Sequence, residues 1–144
     1  MVGSGNFQEP IRFFGKGILL TSRCGPESTK IGDVRIQDGE DSTTIPKGFY
    51  VQPEEQIVPV MSFGVQNPLI VGNIISGNMT YDNSGAIYAQ NGTVIRSSII
   101  SDNTCYCSDA DGITILGSCL VIDNVISGNK SIQCDSPWAW GGGI

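Results

Sequence analysis

The chain contains no histidine. That removes Ser-His-Asp and Cys-His nucleophilic chemistry, because both need an imidazole as base, and it leaves any metal site to sulfur and carboxylate ligands. Charge is scarce too: 15% of the 144 residues, with eight Lys and Arg against fourteen Asp and Glu, for a net charge of −6. This balance argues against nucleic acid, whose phosphates are met by clusters of cations, and against an anionic membrane surface. No apolar run approaches ~20 residues, so no membrane span is read. The opening residues Met1 to Gly5 have neither a charged n-region nor an apolar h-region, so no signal peptide is visible in this chain. Also missing is any sustained stripe at i, i+3, i+4 and i+7, which predicts almost no helix.

What the chain does contain is an imperfect repeat. Segments 70–78, 95–103 and 121–129 superimpose without gaps, their closing residues Asn78, Asn103 and Asn129 lying 25 and 26 positions apart. A period of this size marks a solenoid, each repeat being one turn stacked on the last. Three columns are aliphatic: Ile70/Ile95/Val121, Ile74/Ile99/Val125 and Ile75/Ile100/Ile126. They are β-branched and bounded by Gly, Asn, Ser and Asp, which favours short strands. The first two are read as the columns that carry the stack, with Ile99 buried in the coil. Asn73/Ser98/Asn124 and Asn78/Asn103/Asn129 fall at the corners, where asparagine tolerates left-handed backbone and can bond up and down the stack as a ladder. A Gly-then-Ile element follows each closing asparagine, ending at Ile87, Ile113 and Ile144, and restarts a strand after a loop of changing length. The expected fold is an all-β parallel helix of about five or six rungs with about three strands per rung, in one domain, 1–144. Residues 52–68, with Pro53, Pro59 and Pro68, depart from the pattern and predict an irregular rung or long loop.

The runs NIISGN (73–78), SGAIY (84–88), VIRSSIISDN (94–103) and VIDNVISGN (121–129) resemble the right-handed parallel β-helix repeat proteins of the pectate-lyase-like superfamily. The amino-terminal half is similar to the opening rungs of secreted or surface β-helix proteins, so the resemblance covers nearly the whole chain. It implies a right-handed coil and an extracellular or cell-surface origin. The motifs are architectural and carry no catalytic group. The superfamily's lyases use an arginine or lysine base beside calcium on carboxylates; nothing matches that arrangement residue by residue, and Arg96 reads as an outward-facing side chain on a solvated strand.

Five cysteines stand at 24, 105, 107, 119 and 134. Cys105 and Cys107 follow Asn103 as Cys134 follows Asn129. Loops one rung apart lie side by side, so a bridge from Cys107, or from Cys105, to Cys134 is expected, with free thiols or a sulfur-rich metal site as the alternatives. Cys24 and Cys119 read as small buried apolar residues. Asp109 and Asp111, with Asp102 and Asp135 in reach after stacking, form at most half of a calcium loop; no other cofactor is read. Paired acids for glycoside hydrolysis would have to come from Asp102 and Asp123. Trp138 and Trp140 lie on one side of an extended strand, as sugar-stacking residues would, or pack over the Cys134 loop. The sequons at Asn78, Asn91 and Asn129 are turn chemistry.

Both ends of such a coil expose strand edges and an open core. The expected function is therefore a non-catalytic structural or interaction module that forms a homo-oligomer through its open ends. The rival is a β-helix protein that binds or cleaves an acidic polysaccharide.

Overall fold

A computed structural model of the chain describes residues 1–64, 67–81, 84–106, 111–132 and 143–144. Among these there is no helix; nineteen short strands wind through five turns and begin a sixth. The first turn contributes β1 (Gly5–Phe7), β2 (Ile11–Arg12) and β3 (Leu19–Thr21), and the second β4 (Thr29–Ile31), β5 (Val34–Ile36) and β6 (Ile45–Lys47). The third holds β7 (Tyr50–Val51), β8 (Val60–Ser62) and β9 (Leu69–Val71). The fourth adds a side, with β10 (Ile74–Ser76), β11 (Met79–Thr80), β12 (Ile87–Gln90) and β13 (Val94–Arg96). The fifth repeats it with β14 (Ile99–Ser101), β15 (Thr104–Tyr106), β16 (Ile113–Leu116) and β17 (Leu120–Ile122), and β18 (Val125–Ser127) and β19 (Lys130–Ile132) open the sixth.

Every pairing is parallel, turn upon turn. The sheets are β1-β4-β7-β10-β14-β18, β2-β5-β8-β12-β16, β3-β6-β9-β13-β17 and the short β11-β15-β19. The cross-section therefore grows from three sides to four. The irregular stretch expected at 52–68 is interrupted by β8, and the bends lie at 54–57, the place where later turns insert the fourth side.

Period-2 alternation divides each sheet into an inner and an outer face. Ile70 and Ile95 stack with Val121 as read from the repeat, and the first two are fully buried. In the first sheet the expected column proves to be the wrong one of two neighbours. Ile74, Ile99 and Val125 do pair in register, but they face outward: Ile99 is 40% exposed and Ile100 is 0% exposed. The core column is Ile31, Val51, Ile75, Ile100 and Ile126.

The chain turns from one sheet to the next on a left-handed residue. Gly72, Ser97 and Asp123 (φ 60°, 52° and 53°) precede one set of corner residues; Gly77, Asp102 and Gly128 (66°, 54° and 65°) precede the other. The corner asparagines are thus not themselves the left-handed residues. They sit inside the coil and use their amides. Asn103 Oδ1 accepts from the Asn78 N–H (3.1 Å) and from Asn78 Nδ2 (2.9 Å), while Asn103 Nδ2 donates to Ile75 O (2.9 Å). Asn129 repeats this against Asn103 and Ile100. The other corner runs in the same way, from Asn124 to Ser98 and Ile95 and from Asn73 to Phe49 and Pro46. Above Asn78 only half of the step remains: its Nδ2 donates to Val51 O at 3.3 Å, while its Oδ1 is buried without a partner among the described residues.

Two substitutions separate the inner and outer faces. Ile100→Asp puts a carboxyl group without a partner into the coil, which costs several kcal/mol even when it takes up a proton, a large share of the ~5–15 kcal/mol that holds a domain together, and should abolish cooperative thermal unfolding. Ile99→Asp should fold and lose only about 1 kcal/mol, from poorer strand propensity. Asn103→Ala leaves the buried Asn78 N–H and Ile75 C=O without partners and should cost about 3 kcal/mol in urea unfolding.

Candidate functional site

Asp109, Cys107, Cys134, Trp138 and Trp140 lie outside the described residues, so the calcium loop, the Cys107–Cys134 bridge and the sugar-stacking pair are carried forward as read from sequence. The alternative bridge through Cys105 is overturned. Cys105 is a free thiol, fully buried, and its Sγ–H donates to Asp111 O at 3.2 Å. The reason is alternation: Thr104 and Tyr106 take the outward positions of β15, so the residue between them points into the coil. Asp111 is itself buried, its carbonyl also accepting the Ala86 N–H. Among the described residues no three potential metal ligands gather.

Cys24 and Cys119 are also free thiols. Cys119 is half-buried against the core, as expected, whereas Cys24 is exposed. Burial pushes the Cys105 thiol up, and the Asp111 carboxylate pushes it the same way against a Thr80 hydrogen bond. Cys119 is raised by burial as well. Neither is set up as a nucleophile, which needs a lowered pKa.

Asp102 and Asp123 do not face each other. Each is a left-handed corner residue, and they occupy different corners, one where the chain leaves the first sheet and one where it enters. Asp102 Oδ1 also lies where a side chain on Gly128 would fall, which explains the glycine. Paired catalytic acids are therefore absent at these positions. Arg96 is exposed, as read.

Sequence reasoning missed a cluster on the second sheet. Asp33, whose side chain is 3% exposed, takes Arg12 Nη1 at 3.0 Å and Arg35 Nε at 3.2 Å on the same Oδ2, and Arg35 Nη1 donates to Val58 O at 2.7 Å. This fixes turns one and two to the bent segment of turn three. Arg12 and Arg35 share a column in the β2–β5 register; a repeat read from the second half alone could not have placed it.

Among the described residues two surfaces stand out. The first is the end of the coil at β17, β18 and β19. Val121 and Ile126 point into the core but are half-buried, where Ile95 and Ile100 one turn earlier are sealed. The Leu120 N–H and Ile122 C=O bond back to Thr93 and Ser97, and the Val125 N–H and Ser127 C=O bond back to Ser98 and Asp102. Alternation then directs the N–H and C=O of Val121 and Ile126 along the axis toward the open end. On the carboxyl side, Gly143 O takes the Ile113 N–H as Gly112 O takes that of Ile87, so the Gly-then-Ile restart holds in the sixth turn. The second surface is the outer face of the third sheet, a ridge of aliphatic side chains with Lys47 and Arg96 beside it.

These features define a parallel β-solenoid with aliphatic columns inside and amide ladders at its corners. No family model, curated protein or solved structure matches the chain.

Thiol labelling checks the cysteine assignment. Cys24 should react with a maleimide within minutes at neutral pH, and Cys105 only after denaturation, read by peptide mass spectrometry; rapid labelling of Cys105 in the folded chain would place it on the surface.

Proposed function

We propose that the chain is a non-catalytic structural module, of the right-handed pectate-lyase-like kind and of extracellular or cell-surface origin, that self-associates through the end of its coil. The observation that carries this reading is the state of the last turn. Its core column residues are half uncovered, and its backbone groups turn outward in the register of a further strand. An edge of this kind pairs readily with another chain. The first three turns have three sides and the fourth and fifth have four, so the two halves of the described coil differ in outline and head-to-tail stacking fits poorly. Two copies meeting last turn to last turn form a closed, isologous pair.

Val121→Pro tests this directly. Pro46 occupies the same column one end away, so the coil tolerates proline there, and an edge strand accepts proline where its N–H faces out. Light scattering after size exclusion should give a dimer for the native chain and a monomer of unchanged far-UV circular dichroism for Val121→Pro. A native monomer at every concentration, or a Val121→Pro dimer, refutes the reading.

The second reading, binding of an acidic polysaccharide, is favoured by one observation. Tyr81 and Tyr106 stack at 4.5 Å on the outer face of the fourth side, and Tyr81 is 54% exposed. Aromatic rings of this kind stack on sugars through their apolar faces. Titration with polygalacturonate should then change the intrinsic fluorescence saturably in the native chain and not in Tyr81→Ala; no change in the native chain removes this reading.

A further inference from the structure

The outer face of the third sheet does something the core does not require. Leu19, Ile45, Leu69, Val94 and Leu120 stack there in one column, turn upon turn, with Leu19 56% and Leu120 51% exposed. The next outward column reads Thr21, Lys47, Val71, Arg96 and Ile122. Between the two columns runs a shallow groove of about 300 Å³, lined by Leu19, Ile45, Leu69 and Val71 and by both cations. Solvated faces of a sheet alternate toward polar residues; a continuous apolar ridge of this length marks a contact surface.

Its chemistry selects the partner. Arg12 and Arg35 are held by Asp33, but Lys47 and Arg96 form no ion pair among the described residues, in a chain of net charge −6. A second copy meeting this face through a two-fold axis would bring cations to apolar side chains and supply no carboxylate. The geometry then discriminates between peptide conformations. The ridge crosses the strands, so its side chains recur about every 4.8 Å. An extended peptide repeats one face about every 6.7 Å and falls out of step, and an outer sheet face offers it no backbone groups. An α-helix repeats its stripe every ~5.4 Å and stays close to register. Five rows span about 19 Å, the length of roughly 13 helical residues. Lys47 and Arg96 both flank Val71, two rows apart, or about 10 Å. Acidic residues at i and i+7 on one flank of a helix are separated by about the same distance.

We infer that this face binds an amphipathic α-helix of a partner polypeptide, with the helix lying along the coil axis, its apolar stripe on the leucine column and acidic residues seven apart meeting Lys47 and Arg96.

The test uses the full chain, immobilised, and a displayed library of 14-residue helices with a fixed leucine stripe and flanking positions randomised among Glu, Gln and Lys. Glutamates spaced seven apart on one flank should be enriched. The selected peptides should lose about tenfold or more in affinity against the charge-reversed pair Lys47→Glu and Arg96→Glu, and should weaken with salt, as partly exposed ion pairs do. Both substituted positions are on the surface, so folding is retained and circular dichroism confirms it. Peptides with glutamate replaced by lysine should recover binding to the reversed chain. Selection of no helix above the background on Leu69→Glu, of basic or neutral flanks, or of peptides indifferent to charge reversal overturns the inference. Saturable binding of dodecanoate with no peptide enriched also overturns it and makes the groove an amphiphile site.

Discussion

Each time the backbone leaves one sheet for the next it must bend sharply, and the bend takes buried N–H and C=O groups out of the strand ladder. The corner unit of a left-handed residue followed by an inward amide solves both problems at once. The first residue supplies the reversal. The second, through Asn73, Asn78, Asn103, Asn124 and Asn129, satisfies the peptide groups of the turn above. The aliphatic columns contribute most of the burial, and from the third turn onward the corner amides tie successive turns together beside them. Ser97, Asp102 and Asp123 adopt left-handed angles that cost a non-glycine residue about 1–2 kcal/mol each, so the surrounding hydrogen bonds must outweigh that strain.

With the interior assigned to stacking, function is left to the outside, and the three kinds of outer surface differ chemically. The first sheet pairs an aliphatic column with a serine column, Ser101 donating to Ser76 at 3.1 Å. The second sheet carries Arg12 and Arg35 on its first two strands, braced at Asp33, and Met61, Tyr88 and Thr114 beyond them. The third is apolar, with two cations that form no ion pair among the described residues. Cross-strand pairs on an outer face contribute only about 0.2–1 kcal/mol each, so the fold leaves these faces free to differ.

The period, the columns and the corner positions were legible because each turn repeats the same physical demands at nearly constant spacing. The inner column was not: Ile74 and Ile75, or Ile99 and Ile100, are equivalent in hydropathy, and only parity separates them. The serines at 76, 101 and 127 share parity with the outward isoleucines, which was the available clue. The left-handed positions were hidden because Gly, Ser and Asp alternate there, and the asparagine beside them drew the assignment. The Asp33 brace and the change from three sides to four escaped because the repeat begins only at Ile70, on the last strand of the third turn. Of the candidate site, the exposed Arg96 was read correctly, whereas its neighbour Lys47 acquires meaning only when both are seen to flank Val71 in adjacent strand pairs.

The amide ladder has a polarity. The backbone groups that the corner asparagines complete belong to the preceding turn: Asn129 completes the backbone at Asn103 and Ile100, as Asn103 completes it at Asn78 and Ile75. A turn is therefore not finished by its own residues but by those made roughly one repeat later. On a ribosome, where the amino-terminal end emerges first, a turn meets the residues that satisfy its corner backbone only after about one more repeat has been made.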